Sequence, residues 1–189
     1  GYRTRCLRRA GGDDGMNSLD GWSQAIARHR AAILDYVQWG LRVEEAAWRS
    51  PIAAGKWTPA EITDHLVRTY RKALDEVRGG EGLRPRYGRL LRQALRLTVL
   101  PGIFRTRRLP GGATAPSEIL PAESRVSQHD ALSQLDDLAG EFEREIFSRR
   151  GDPGVHLTHH IFGPIKAPAA VDFIAIHTEH HARQLPRNR

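Results

Sequence analysis

The chain has 189 residues, enough for one domain with a proper core, and its 40% apolar and 27% charged content excludes wholesale disorder. No apolar run approaches the length of a membrane span, and the lone cysteine, Cys6, excludes a disulfide framework or a cysteine-based zinc cluster, so a cytoplasmic location is expected. Lysine and arginine outnumber the acids 29 to 22, yet the excess is local: eight arginines and no acid lie between Arg84 and Arg108, and the remainder is close to neutral.

Residues 1–15 show no hydrophobic period and mix four arginines with glycines and aspartates. They read as a disordered tail or as an artefact of cloning or of gene-start assignment ahead of Met16, with residues 16–189 as a single domain. From Asp20 to Ala47, Ile26, Ile33, Val37 and Leu41 recur at helical spacing, and Gly40 weakens the pattern without ending it. A sharper start follows at Thr58-Pro59-Ala60-Glu61, where threonine caps, proline takes the first turn and glutamate completes a capping box. Ile62, His65, Leu66, Thr69 and Ala73 then share a face until Gly79-Gly80.

About forty residues separate this helix from the next, far beyond the usual bundle loop of about 2–8. Within them Arg89–Leu100 predicts a short basic amphipathic helix, and LPGIF, LPGGATAP and EILP read as an irregular strap. Leu132, Leu135, Ala139, Phe142 and Ile146 mark a third long helix over 125–148, and Phe173, Ile174, His177 and His181 a fourth over 168–185. No alternating strand pattern is evident. Four helices, each apolar on one side, bury those sides against one another, which predicts an all-α, up-down four-helix bundle with a long, partly helical, Arg-rich connection between helices 2 and 3.

The candidate chemistry is histidine. His177 and His181, four apart on a helix, project together about one turn from each other and can offer two ligands to one metal. His180 is the alternative partner for His177. His65 lies on an apolar stripe, where an unpaired imidazole is costly to bury. Two inward histidines on one helix and one on another make a three-imidazole set with an open position, the pattern of a catalytic metal rather than a closed structural one. HTEHH lacks the glutamate that directly follows the first histidine in HExxH proteases, which excludes that class. His29, His129 and His156 read as surface or loop residues. His159-His160 sit in a loop feeding the last helix, behind the ligands, facing substrate or exposed. Glu61, one turn before His65, either orients that imidazole or serves only the helix cap.

Three segments carry a resemblance. Trp57-Thr58-Pro59-Ala60-Glu61-Ile62-Thr63-Asp64-His65-Leu66, His159-His160-Ile161-Phe162-Gly163-Pro164 and Ile176–Leu185 resemble, in order and spacing, the motifs of the DinB-like superfamily over residues 17–186, with His160 where proline is usual. The resemblance implies a four-helix fold and a metal triad of His65, His177 and His181 holding zinc or nickel. It also implies homodimers built on exposed helix faces, and transfer reactions using low-molecular-weight thiols such as bacillithiol, mycothiol or glutathione.

The leading reading is therefore a metal-dependent enzyme acting on a small molecule, with thiol transfer to an electrophile first and metal-assisted hydrolysis second. Arg89, Arg92 and Arg96 would recognise an anionic thiol or a carboxylate substrate. The rival is a non-enzymatic protein whose 84–108 segment binds an anionic membrane or nucleic acid. Only Tyr87 and Phe104 interleave these arginines, which argues against base stacking, and the arginines read as a solvated face packed on the bundle by their aliphatic stems. Nucleic acid and membrane are accordingly set aside as partners.

Overall fold

The computed structural model describes residues 13–112, 114–122 and 126–187. Residues 1–12, which carry most of the expected tail, lie outside the described residues. Among the described residues seven α-helices, a 3-10 turn (Ser117–Ile119) between the fifth and sixth, and one hairpin make up the fold: α1 (Asp13–Leu41), α2 (Glu45–Trp48), α3 (Pro59–Val77), α4 (Arg89–Thr98), α5 (Leu100–Thr106), α6 (Gln128–Ser148), β1 (His156–His159), β2 (Gly163–Lys166) and α7 (Ala169–Ala182). The long helices α1, α3, α6 and α7 form the expected bundle. Among the described residues no helix is long and apolar enough to cross a membrane.

The bundle's connectivity departs from simple alternation. Along α1, His29 meets Tyr70 and Tyr36 meets Thr63, so α3 runs antiparallel to it. His29 also meets Glu143 while Gln128 reaches Gly40, so α6 is antiparallel to α1 as well. Arg28 pairs with Asp172, and Gly21 lies against Pro168, so α7 is parallel to α1. The directions are up, down, down, up. Because α3 and α6 run the same way side by side, the chain between them must climb the full height of the bundle. That requirement explains the forty-residue connection.

Packing is close between α1 and α7, α1 and α6, and α3 and α6. The remaining seam, between α3 and α7, is held by side chains, among them Tyr70 and Thr178 with their oxygens 3.1 Å apart. The climbing connection and the hairpin cover that seam, and the site lies beneath them.

Several local expectations are corrected. The first helix ends at Leu41 rather than Ala47, and a single turn, α2, follows with Val43 and Trp48 buried. Its core face is Trp22, Ala25, His29, Ile33 and Tyr36, while Leu41 is exposed. Gly40 is where Leu132 seats: a Cβ there would stand 2.7 Å from a Leu132 methyl. His29, read as a surface or loop residue, is buried; His129 and His156 are exposed.

The LPGIF stretch is helical, with Pro101 in the first turn of α5. That helix ends on Arg107 at φ +50°, whose guanidinium binds Glu179 (2.5 Å) and Asp172 (2.9 Å) of α7 and so pins the connection to the bundle. The hairpin escaped notice because four-residue strands are too short to declare a period. It pairs Leu157 with Ile165 and turns at Gly163, which takes φ +70°.

Candidate metal centre

The α3 capping box is formed: Thr58 accepts from the Glu61 N–H and the Glu61 carboxylate accepts from the Thr58 N–H at 2.7 Å. From that fixed start, Ile62, His65, Leu66, Tyr70 and Ala73 turn inward. The antiparallel α7 brings His177 and His181 to the same level of the seam. Nε2 of His177 lies 3.2 Å from Nε2 of His65 and 3.1 Å from Nε2 of His181, and one ligand atom from each residue fits within 4.8 Å of the others.

The tautomers follow from the outer nitrogens. His65 Nδ1 is 2.7 Å from the Ile119 carbonyl oxygen, which can only accept, so Nδ1 carries the proton. His181 Nδ1 donates in the same way to Gln184 Oε1 at 2.8 Å. Both Nε2 lone pairs therefore point toward His177, where one N–H cannot fully satisfy two acceptors. Trp57 packs at 5.0 Å against His65 and limits its swing.

Burial pushes all three imidazoles down in pKa, opposed at His65 by the Ile119 hydrogen bond and reinforced at His177 by His181 and His65 and at His181 by His65. His181 falls to about 3 and His177 lies well below 6.5, so the cluster is neutral near pH 7. Three neutral imidazoles with converging Nε2 atoms, two of them with protonated outer nitrogens, suit a divalent transition-metal ion. Tetrahedral N-ligands at about 2.0–2.1 Å from zinc stand about 3.3 Å apart, close to the separations found here.

A cavity of about 550 Å³ runs along the α3–α7 seam past these nitrogens. Trp57, Ile103, Leu109, Ile119, Phe162 and Phe173 give it a mainly apolar wall, with Lys56, Lys72, Glu76, His159, His180 and Gln184 among its polar members. Glu76, the one carboxylate among the described lining residues, accepts from the Thr158 N–H (2.8 Å) and hydroxyl (2.6 Å), which ties the hairpin to α3.

The other candidates fall in different places. His159 lines the cavity, stacks on Phe162 at 4.9 Å, and is held by burial, then by His160, at a pKa of about 3. His180 also lines the cavity, but its Nε2 accepts from the Gln184 amide at 3.1 Å, so the structure places His181 rather than His180 in the cluster. Glu61 is engaged by the cap, while His65 is oriented by the Ile119 carbonyl. Arg89, Arg92 and Arg96 border a separate surface depression of about 460 Å³ that shares only Phe162 with the cavity.

Sequence reasoning missed Ile119 and Gln184. A backbone carbonyl has no residue signature, and Gln184 showed only as part of the closing-helix motif.

The sequence profile of the DinB superfamily matches residues 25–185. No curated protein matches the chain. Among solved structures, YfiT from Bacillus subtilis, described as a probable metal-dependent hydrolase with an unusual four-helix bundle topology, aligns with a TM-score of 0.56 at 14% identity, covering 96% of this chain and 89% of that one. At that identity the likeness establishes the shared fold.

Proposed function

The chain belongs to the DinB superfamily, and on that footing we propose that it is an enzyme whose His65, His177 and His181 hold a divalent metal, zinc or nickel, beside an apolar cavity that takes a small electrophile. The convergence of the three Nε2 atoms, one from each histidine, carries this reading. Imidazole suits both metals. When bound, the ion would act as a Lewis acid and lower the pKa of a thiol or water in its open position.

The protein's own residues do the rest. Ile119 and Gln184 hold the outer protons of His65 and His181, so the inner nitrogens stay available. Trp57, Ile103 and Phe173 exclude water and bind the apolar part of the electrophile. Lys56 and Lys72 offer positive charge to a carboxylate on a small thiol.

Thiol transfer is the preferred reaction, because a thiol acidified by a metal needs no separate base. The one carboxylate in the described cavity wall, Glu76, is committed to Thr158. Hydrolysis is the second reading, favoured by the description of the YfiT structure.

Metal analysis of the wild-type protein and of His177→Ala tests the centre. About one transition-metal ion per chain is expected in the wild type. The variant should lose it while its helical circular dichroism persists. Wild-type protein that stays empty after incubation with zinc and with nickel would overturn the reading. Turnover of an electrophile that requires added thiol would then separate transfer from hydrolysis.

A further inference from the structure

Helix α4 buries no residue. Leu90 is 84% and Leu97 75% exposed; seven residues apart, they lie on one face with Ala94 between them, and Leu91 beside them is 49% exposed. Arg89 and Arg96, also seven apart, run along the adjoining face, whereas Arg92 turns back onto the hairpin, with its Nε buried and its guanidinium beside Gly163. Among the described residues none of these three has a carboxylate partner within ion-pair distance, whereas Arg107 below them has two. The stems of Arg89 and Arg96 are exposed rather than laid on the bundle, so the solvated-face account of the sequence leaves the row of leucines unexplained.

We propose that α4 docks the protein on an anionic lipid surface, lying in the plane of the interface. Leu90 and Leu97 enter the boundary between headgroups and acyl chains, and Arg89 and Arg96 pair with lipid phosphates. At ten residues the helix is far too short to span a bilayer, for which about 20 are needed, but it suits an interfacial position.

Charge selects this occupant. Pairing α4 with a second copy would press together two segments that each carry eight arginines and no acid between 84 and 108. Nucleic-acid phosphates would satisfy the arginines and leave the leucines in water. An anionic bilayer satisfies both. Because α4 continues into α5, whose Ile103 lines the cavity, docking would also set one cavity wall near the membrane. The proposal does not depend on the metal centre.

Co-sedimentation of the full chain with vesicles of phosphatidylcholine plus phosphatidylglycerol, against phosphatidylcholine alone, tests it. The wild type should pellet with the mixed vesicles only. Each basic residue at such a surface contributes about fivefold in partition, so Arg89→Gln and Arg96→Gln together should weaken binding about 25-fold. Leu90→Glu with Leu97→Glu should abolish pelleting with the arginines intact. Since Arg89, Leu90, Arg96 and Leu97 are all exposed, both variants should melt like the wild type, and a thermal scan checks that.

Failure of the wild type to pellet at low salt would overturn the proposal. So would leucine variants that bind normally, displacement by inorganic phosphate beyond that by sodium chloride at equal ionic strength, tighter retention on duplex DNA than on vesicles, or a dimer in light scattering that the leucine variants dissolve.

Discussion

Two sets of inward histidines sit in one bundle and differ in where their nitrogens end. His29, with no exposed surface, has Nδ1 2.7 Å from the Glu143 carboxylate and Nε2 2.7 Å from the Tyr70 hydroxyl. Glu143 is held in turn by Arg30, and Tyr70 by Thr178. His65 and His181 are satisfied on the outer side only, and their inner nitrogens meet His177. A buried imidazole with partners at both ends is a strut. Imidazoles with partners at one end and one another at the other leave a place for a cation. Burial lowers the pKa in both sets, so the partner list distinguishes them and the titration shift does not.

The largest effect that would sharpen this contrast is on stability without metal. His29→Ala strips a buried carboxylate and a buried phenol of their partner, and a loss of about 3–5 kcal/mol is expected. His177→Ala truncates a side chain already facing the cavity and relieves the crowding of nitrogens, so its cost in chelator should stay below about 1 kcal/mol. Urea unfolding of both variants in chelator checks the pair. Equal losses would show that the three-histidine cluster is itself a structural strut.

The next effect is on metal affinity. Gln184 orients His181 and gives its amide to His180, so Gln184→Leu frees the ring to turn and should weaken metal binding about 10–100-fold, as loss of such outer partners does elsewhere. Competition with a chromophoric chelator measures it. Unchanged affinity would mean that the helix alone fixes His181, and that the partners of the outer nitrogens matter less than the comparison with His29 suggests.

What was legible in the sequence tracks how local the physics is. The α3 start was readable because Thr58, Pro59 and Glu61 act within one turn, and the relation of His177 to His181 because it is one turn of α7. The four-helix bundle followed from aliphatic stripes. The core face of α1 did not, because its members Trp22, His29 and Tyr36 are aromatic or polar, and His29 and Tyr36 bond across the core to Tyr70, Thr63 and Glu143, which are 27 to 114 residues away. The parallel course of α3 and α6 was hidden for the same reason: the length of the connection was visible, but not the direction it had to serve. Ile119 reaches His65 across 54 residues through a backbone oxygen, which no side chain advertises.

The smallest effect separates two roles that the sequence left open for Glu61. Its carboxylate accepts from the Thr58 N–H at 2.7 Å, and the Nδ1 proton of His65 already goes to Ile119. If the cap is its whole work, Glu61→Ala frays the first turn of α3 and costs about 1 kcal/mol, while Glu61→Gln keeps most of that stability because an amide oxygen can accept the same bond. Neither change should move metal affinity, since His65 lies a full turn into the helix and is clamped from the other side by Ile119 and Trp57. A fall in affinity for Glu61→Ala that exceeds its loss of stability would show that the α3 start is coupled to the His65 ring. The boundary between the strut-like half of the core and the metal-binding half would then lie one turn nearer the helix start than the hydrogen bonds place it.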